Sequence, residues 1–175
     1  MRTVLAELER EGIETELAQL ADSALEPCRA CYACKGKRAC AFHNDRFSDC
    51  FEKMKRADGI LLGSPVYSAD VTGNMKTFLD RAGMIAAVNK DMRLLRHKVV
   101  ASVTAVHHVG GMPACDTMNH FFLNKEAIIV GASDWNVVFG RQIGDVLKDE
   151  AGMNNMRNLG MNMAWVLKKL YGHDV

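Results

Sequence analysis

Chemistry in this sequence is concentrated in four thiols and one loop of small residues. Cys28-x2-Cys31-x2-Cys34-x5-Cys40 packs four of the chain's six cysteines into thirteen positions. Thiolates at x2 spacing can wrap one side of a compact metal centre, and a fourth a few residues on can close it. The same Cys-x2-Cys-x2-Cys run opens the bacterial ferredoxin pattern, where three neighbouring cysteines hold one iron–sulfur cube. Structural zinc sites more often use two separated Cys-x2-Cys pairs or add histidine. A redox-active Cys-x-x-Cys disulfide and plain thiols in a redox-sensitive loop are the other readings. His43 and Cys50 lie close enough in sequence to be spare ligands. Lys35, Lys37 and Arg38 form either a solvated basic turn or a set of charges that offsets thiolate charge.

The loop is Gly63-Ser64-Pro65-Val66-Tyr67-Ser68. It follows the apolar run Gly59-Ile60-Leu61-Leu62 and precedes a helical stretch over residues 73–89. A strand that ends in small residues and passes into a helix is the usual form of a ligand crevice at the carboxyl end of an open α/β sheet. Backbone amides in such a loop can approach a flat, polar-edged ligand closely.

The elements around these residues must form a covered sheet. The sequence predicts a helix over 1–11 ended by Gly12, then a strand over 13–20, where apolar and polar residues alternate. Residues 28–45 hold too few apolar side chains to pack alone, so something must order them, and a bound metal centre could do so. A helix over 46–57 presents Phe47, Cys50, Phe51 and Met54. Short apolar strands follow over 60–62, 98–106 and 127–131, the kind buried on both faces of a parallel sheet. The helix over 73–89 buries Met75, Phe78, Leu79, Ala82 and Ile85. The second of these strands runs into His107-His108-Val109-Gly110-Gly111-Met112, a glycine-rich loop, after which Asp116 is the expected N-cap of a helix over 117–123. Residues 132–151 are expected to form a long loop with a short helix. A last helix over 153–171 turns Met156, Leu159, Met163, Val166, Leu167 and Leu170 inward. Cys50 and Cys115 are expected to be packing thiols, and Trp135 and Trp165 packing or interface residues. Strands alternating with helices imply one doubly wound α/β domain over 1–175, with a cysteine-rich insertion at about 28–45.

Bulk properties narrow the function. The 175 residues suffice for a real core, and the net charge of +1 gives no field that would favour nucleic acid or an anionic membrane. No apolar run reaches the length of a membrane span, and the first residues lack the apolar core of a signal peptide. A cytoplasmic location is the expectation.

Gly63-Ser64-Pro65-Val66-Tyr67, followed by Gly73-x-Met75-Lys76-x-Phe78-Leu79-Asp80-Arg81, resembles the NADPH-dependent FMN reductase family of flavodoxin-like proteins. With Cys28, Cys31, Cys34 and Cys40 upstream, the chain is most similar to its iron–sulfur flavoprotein branch. The resemblance implies an FMN whose ring lies on Ser64, Pro65, Val66, Tyr67 and Ser68, with amides near Val66 and Tyr67 bonded to it. Gly73 and Asn74 begin the helix beside the flavin, and the 105–112 loop, with His107, His108, Gly110 and Gly111, flanks its other edge. The two histidines either meet the ring or a nicotinamide, or form an ordinary surface pair. Lys76, Asp80 and Arg81 are structural or belong to a subunit contact. The implied cofactors are FMN, a 4Fe-4S cluster at the four cysteines and NAD(P)H as co-substrate. The implied partners are a nicotinamide or a redox carrier protein, in a homodimer or homotetramer. The implied function is an FMN-dependent oxidoreductase. Its rivals are an FMN reductase without a cluster, and a non-catalytic flavodoxin-like subunit that binds no flavin.

Two departures stand out. The family opens with a strand and a phosphate-binding Gly-Ser-Pro-Arg-like loop, and this chain begins at about the end of that loop. Without that strand, residues 13–20 have no neighbour to bridge them to the strand over 60–62, so FMN phosphate binding is the function it touches most. The other is Phe42-His43-Asn44-Asp45, where relatives often carry paired acids.

Overall fold

The computed structural model describes residues 1–21, 24–42 and 44–172. Helix α1 (Arg2–Arg10) is followed by a long irregular stretch and then α2 (Phe47–Arg56). Next come β1 (Gly59–Pro65), α3 (Gly73–Val88), β2 (Val99–Val106) and α4 (Gly111–Leu123). The chain closes with β3 (Ile128–Ile129), β4 (Val137–Phe139) and α5 (Glu150–Tyr171). Among the described residues, no helix is long and apolar enough to cross a membrane.

All pairings are parallel. β1 lies along β2 from Gly59 opposite Val99 to Pro65 opposite Ala105. The other edge of β2 pairs with β3 near its start and with β4 near its end. β3 and β4 thus act as one interrupted strand, linked to β2 by Val130 N–H to Val100 O (2.8 Å) and Thr104 N–H to Asn136 O (2.9 Å). β2 is central and almost wholly buried, as its Val-Val-Ala-Ser-Val-Thr-Ala-Val sequence requires. One face of the sheet packs on α2, α3 and α4 through Phe47, Phe51, Phe78, Met118 and Phe122. The other packs on α1 and α5 through Val4, Leu8, Leu159, Met163 and Leu167. A doubly wound flavodoxin-like sheet is the result.

Four expectations change. No strand forms over residues 13–20. A strand needs a ladder partner, and this segment has only scattered bonds, such as Asn74 Nδ2 to Leu20 O (2.9 Å) and the Lys53–Glu16 ion pair (2.7 Å). Second, α4 begins at Gly111 with Gly110 as its N-cap, so Asp116 lies inside the helix. Pro113 falls in the first turn, where its missing N–H costs nothing. Third, the 132–151 stretch contains β4, too short to read by alternation. Fourth, Leu170 is half exposed, because α5 outruns the sheet that its inner face covers.

β1 is an edge strand with an open flank. Val99 N–H bonds to Asp58 O and Val66 N–H to Ala105 O. Alternate residues of a parallel strand serve the same neighbour, so even-numbered residues face β2 and Gly59, Leu61 and Gly63 turn their amides the other way. There a cavity of about 1530 Å3 separates them from the 13–20 segment, with residues of both lining it.

The opposite face is tightly closed. α1 crosses α5 at Gly160, where an added Cβ would stand 2.6 Å from Glu7 Cβ and 2.8 Å from Val4 O. Gly160→Ala should therefore destabilise the fold by about 1–3 kcal/mol through overpacking, read as a lower urea midpoint. Gly131→Ala, with open space around its Cβ, is the matched control and should leave the midpoint nearly unchanged.

Candidate functional site

The carboxyl ends of β1 and β2 bring two predicted loops together. The first is built as a tight turn. Tyr67 N–H donates to Asp70 O (2.9 Å) and Asp70 N–H to Tyr67 O (3.2 Å). The central residues Ser68 and Ala69 both have positive φ, 50° and 64°. Two positive φ angles are the mark of type I′ turns, which usually recruit Asn or Gly, so this turn carries local strain. Buried Ser64 braces its base, donating its hydroxyl to Pro65 O (2.7 Å) and accepting Thr72 N–H (3.1 Å). Thr72 in turn caps α3 by accepting Met75 N–H (3.2 Å), which fixes Gly73 and Asn74 in the first turn.

The second loop presses against the first at Gly110. Its φ is +91°, and a Cβ there would lie 2.6 Å from Ala69 Cα. Only glycine permits that approach. Gly111 is equally crowded, its Cβ position 2.8 Å from Val137 Cγ1. His107 and His108 are exposed at the rim, their rings 6.3 Å apart. Tyr67 is 64% exposed, so its ring is available as an aromatic face.

The available donors differ from those expected. The Val66 and Tyr67 amides are engaged within the protein, the first by Ala105 O and the second by Asp70 O. In these two loops, no bond among the described residues engages the amides of Ser68, Ala69 or 107–110. A concave edge of free N–H groups beside an exposed aromatic ring suits a flat ligand with polar edges, such as a flavin.

The cysteine loop lies along α3. Cys34 is buried, Cys28 and Cys40 are half-buried and Cys31 is exposed. Burial, and after it the neighbouring Cys40, Cys31 and Cys28 thiols, push the Cys34 thiol above its ordinary range. The four thiols therefore surround one locality. Among the described residues, no three His, Cys, Asp or Glu side chains stand close enough to share a single ion. The four cysteines supply an all-sulfur donor set, soft-ligand chemistry that suits zinc and iron–sulfur centres alike. His43 lies outside the described residues. Cys50 and Cys115 are buried, and burial raises both thiols, as packing residues require. Lys35, Lys37 and Arg38 are exposed.

Protein contacts hold this loop at both ends. The buried Arg81 guanidinium bonds to Glu26 O (3.1 Å), just before the first cysteine, and to Phe42 O (3.2 Å), just after the last. It also forms an ion pair with Asp45 and stacks over Phe47 at 4.1 Å. Asp45 accepts the Glu26 N–H (2.8 Å) and the Phe47 N–H (3.2 Å) as well. Burial alone would raise the Asp45 carboxyl, but those amides and Arg81 together hold it below its ordinary value. Arg81 is thus structural and too buried for a subunit contact, whereas Lys76 and Asp80 make an exposed pair at 2.5 Å. Asn89, the C-cap of α3, is the second anchor. Neither Asp45 nor Asn89 carries any spacing signal that would announce it.

With the geometry in place, comparison with known proteins is direct. The sequence profile described as NADPH-dependent FMN reductase matches residues 1–142. An iron–sulfur flavoprotein from Methanocaldococcus jannaschii is 35% identical over 178 aligned residues, covering 96% of this chain and 88% of its own. Among solved structures, a flavone reductase superposes with a TM-score of 0.70 at 22% identity, over 98% of this chain and 58% of that one. A flavodoxin from the domain Archaea gives 0.61 at 12% identity, over 95% and 87%. By profile and by identity along nearly its whole length, the chain belongs to the NADPH-dependent FMN reductase family, alongside the iron–sulfur flavoproteins.

Proposed function

We propose that this protein is an FMN-dependent oxidoreductase that moves electrons between a reduced donor and a partner, with an iron–sulfur cluster at Cys28, Cys31, Cys34 and Cys40. The observation that carries this reading is the meeting of the two loops at Gly110 and Ala69, which sets unpaired amides against the exposed Tyr67 ring. FMN, when bound, supplies the step between two-electron and one-electron chemistry. The chain's own residues orient it. The Ser68, Ala69 and 107–110 amides donate to polar ring edges, Tyr67 offers an aromatic face, and Gly73 and Asn74 open α3 beside them. His107 and His108 stand at the rim, where a nicotinamide of NAD(P)H or a carrier protein would approach. The four cysteines hold the cluster. Half-exposed to exposed Trp135, Trp165 and Met161 support assembly into dimers or tetramers.

Anaerobic reconstitution of the full chain with FMN, ferrous iron and sulfide is the test, read by absorbance, metal analysis and NADPH oxidation. The expected product carries both flavin and iron. Flavin without iron would leave an FMN reductase with an ordinary thiol loop. A colourless protein that takes up neither would make it a non-catalytic relative.

A further inference from the structure

The four-cysteine loop is held at its ends and at its middle by one helix. At its ends stands Arg81, as described. At its middle stands Asn89, 6% exposed, whose Oδ1 accepts the Gly36 N–H (2.7 Å). Its Nδ2 shares two hydrogens among Cys34 O (2.9 Å), Lys37 O (2.9 Å) and Ile85 O (2.8 Å). The Ile85 bond ties the side chain back to α3 itself. Ala30 and Tyr32, on either side of Cys31, have positive φ of 49° and 56°. Non-glycine residues stay in that region only where their surroundings over-determine the backbone. Gly36, at +73°, sits where the Asn89 amide grips it.

We propose that Asn89 and Arg81 are positioning residues that keep the cysteine loop folded with no metal bound, so its thiols are arranged before a cluster is captured. The loop lacks the apolar content to fold alone. Two buried polar side chains replace the missing core by satisfying its carbonyls and amides. α3 thereby fixes both sites, since its first turn supports the flavin loop and Asn89 at its far end holds the cysteine loop. This rests on the cluster reading for its purpose, but the folding claim can be tested apart from it.

The experiment is mass-resolved labelling of individual cysteines by a small thiol reagent on the full chain after iron removal, for wild type and Asn89→Ala. In wild type, Cys31 should react fast and Cys34 slowly. In Asn89→Ala, the Cys34 rate should rise about tenfold or more, since several hydrogen bonds that oppose local opening are gone. Cys115, buried on α4 against Ser102 and Thr104 of β2, should keep its wild-type rate. Anaerobic iron and sulfide uptake should slow in the variant by a similar factor. Wild-type Cys34 reacting as fast as Cys31, or an unchanged Cys34 rate in Asn89→Ala, would overturn the proposal. So would a parallel rise at Cys34 and Cys115, which would mean global loosening. Wild-type protein that takes up no iron would instead sink the cluster reading, while the labelling ratios would still decide whether the loop is pre-folded.

Discussion

Asp45→Ala should cost about 3–5 kcal/mol of folding stability, the range for stranding one member of a buried ion pair. The pair is closed on all sides, with side-chain exposure of 2% at Arg81 and 4% at Asp45. Removing the carboxylate leaves a guanidinium without its counter-charge and leaves the Glu26 and Phe47 amides without an acceptor. Urea unfolding should show the loss as a fall in midpoint at similar slope. Adding Arg81→Met should recover much of it, because the stranded charge is then gone. The pH dependence has a definite sign. The Asp45 carboxyl titrates lower in the folded chain than in the unfolded one. Its contribution is therefore complete above the ordinary aspartate value of about 3.9 and disappears as pH falls through the lower folded value. Wild type should lose stability in that acid range, and Asp45→Ala should lack that component of the loss. A midpoint within 1 kcal/mol of wild type would mean that the pair holds nothing together.

Gly110→Ala should weaken FMN binding by about a hundredfold, or about 2.8 kcal/mol at 1.4 kcal/mol per decade. Two penalties add. A left-handed backbone costs a residue with a Cβ about 1–2 kcal/mol, and forcing an atom into a filled contact costs about 1–3 kcal/mol. The neighbour is the Ala69 backbone at 2.6 Å, which cannot swing aside as a side chain would. The loops must part, and the donor edge that they form together must widen. Quenching of flavin fluorescence on titration measures the change, with Gly131→Ala as the control expected to bind like wild type. If Gly110→Ala bound FMN normally, the ring would not sit between these loops.

Much of this arrangement can be read along the chain. β2 is a largely apolar run, and α3 announces itself through a repeating inward face, so both were legible. The juxtaposition of the Ser64 and His107 loops follows from their place after parallel strands. Which amides stay free does not, because Val66 and Tyr67 are claimed by Ala105 and Asp70 only once the turn closes. Asp116 looked like a helix start because Gly110-Gly111 and Pro113 read as a turn, yet glycine at the cap and proline in the first turn are compatible with a helix that begins there. β4 has three residues, too few for any period. Arg81 and Asn89 are hardest of all. Their partners lie tens of residues upstream, and nothing local marks a helical arginine or a terminal asparagine as the support of a distant loop.

The unpaired flank of β1 has a consequence for handling the molecule. Among the described residues, Gly59, Leu61 and Gly63 have no ladder partner on this side, and Pro65 closes the strand. Two molecules that meet along this flank can each lend the other a ladder, and the glycines add no bulk to keep them apart. A foreign strand can reach this flank only by displacing residues 13–20 from the far side of the cavity, and Leu61, packed against the α1 and α5 core, is no place for a charge.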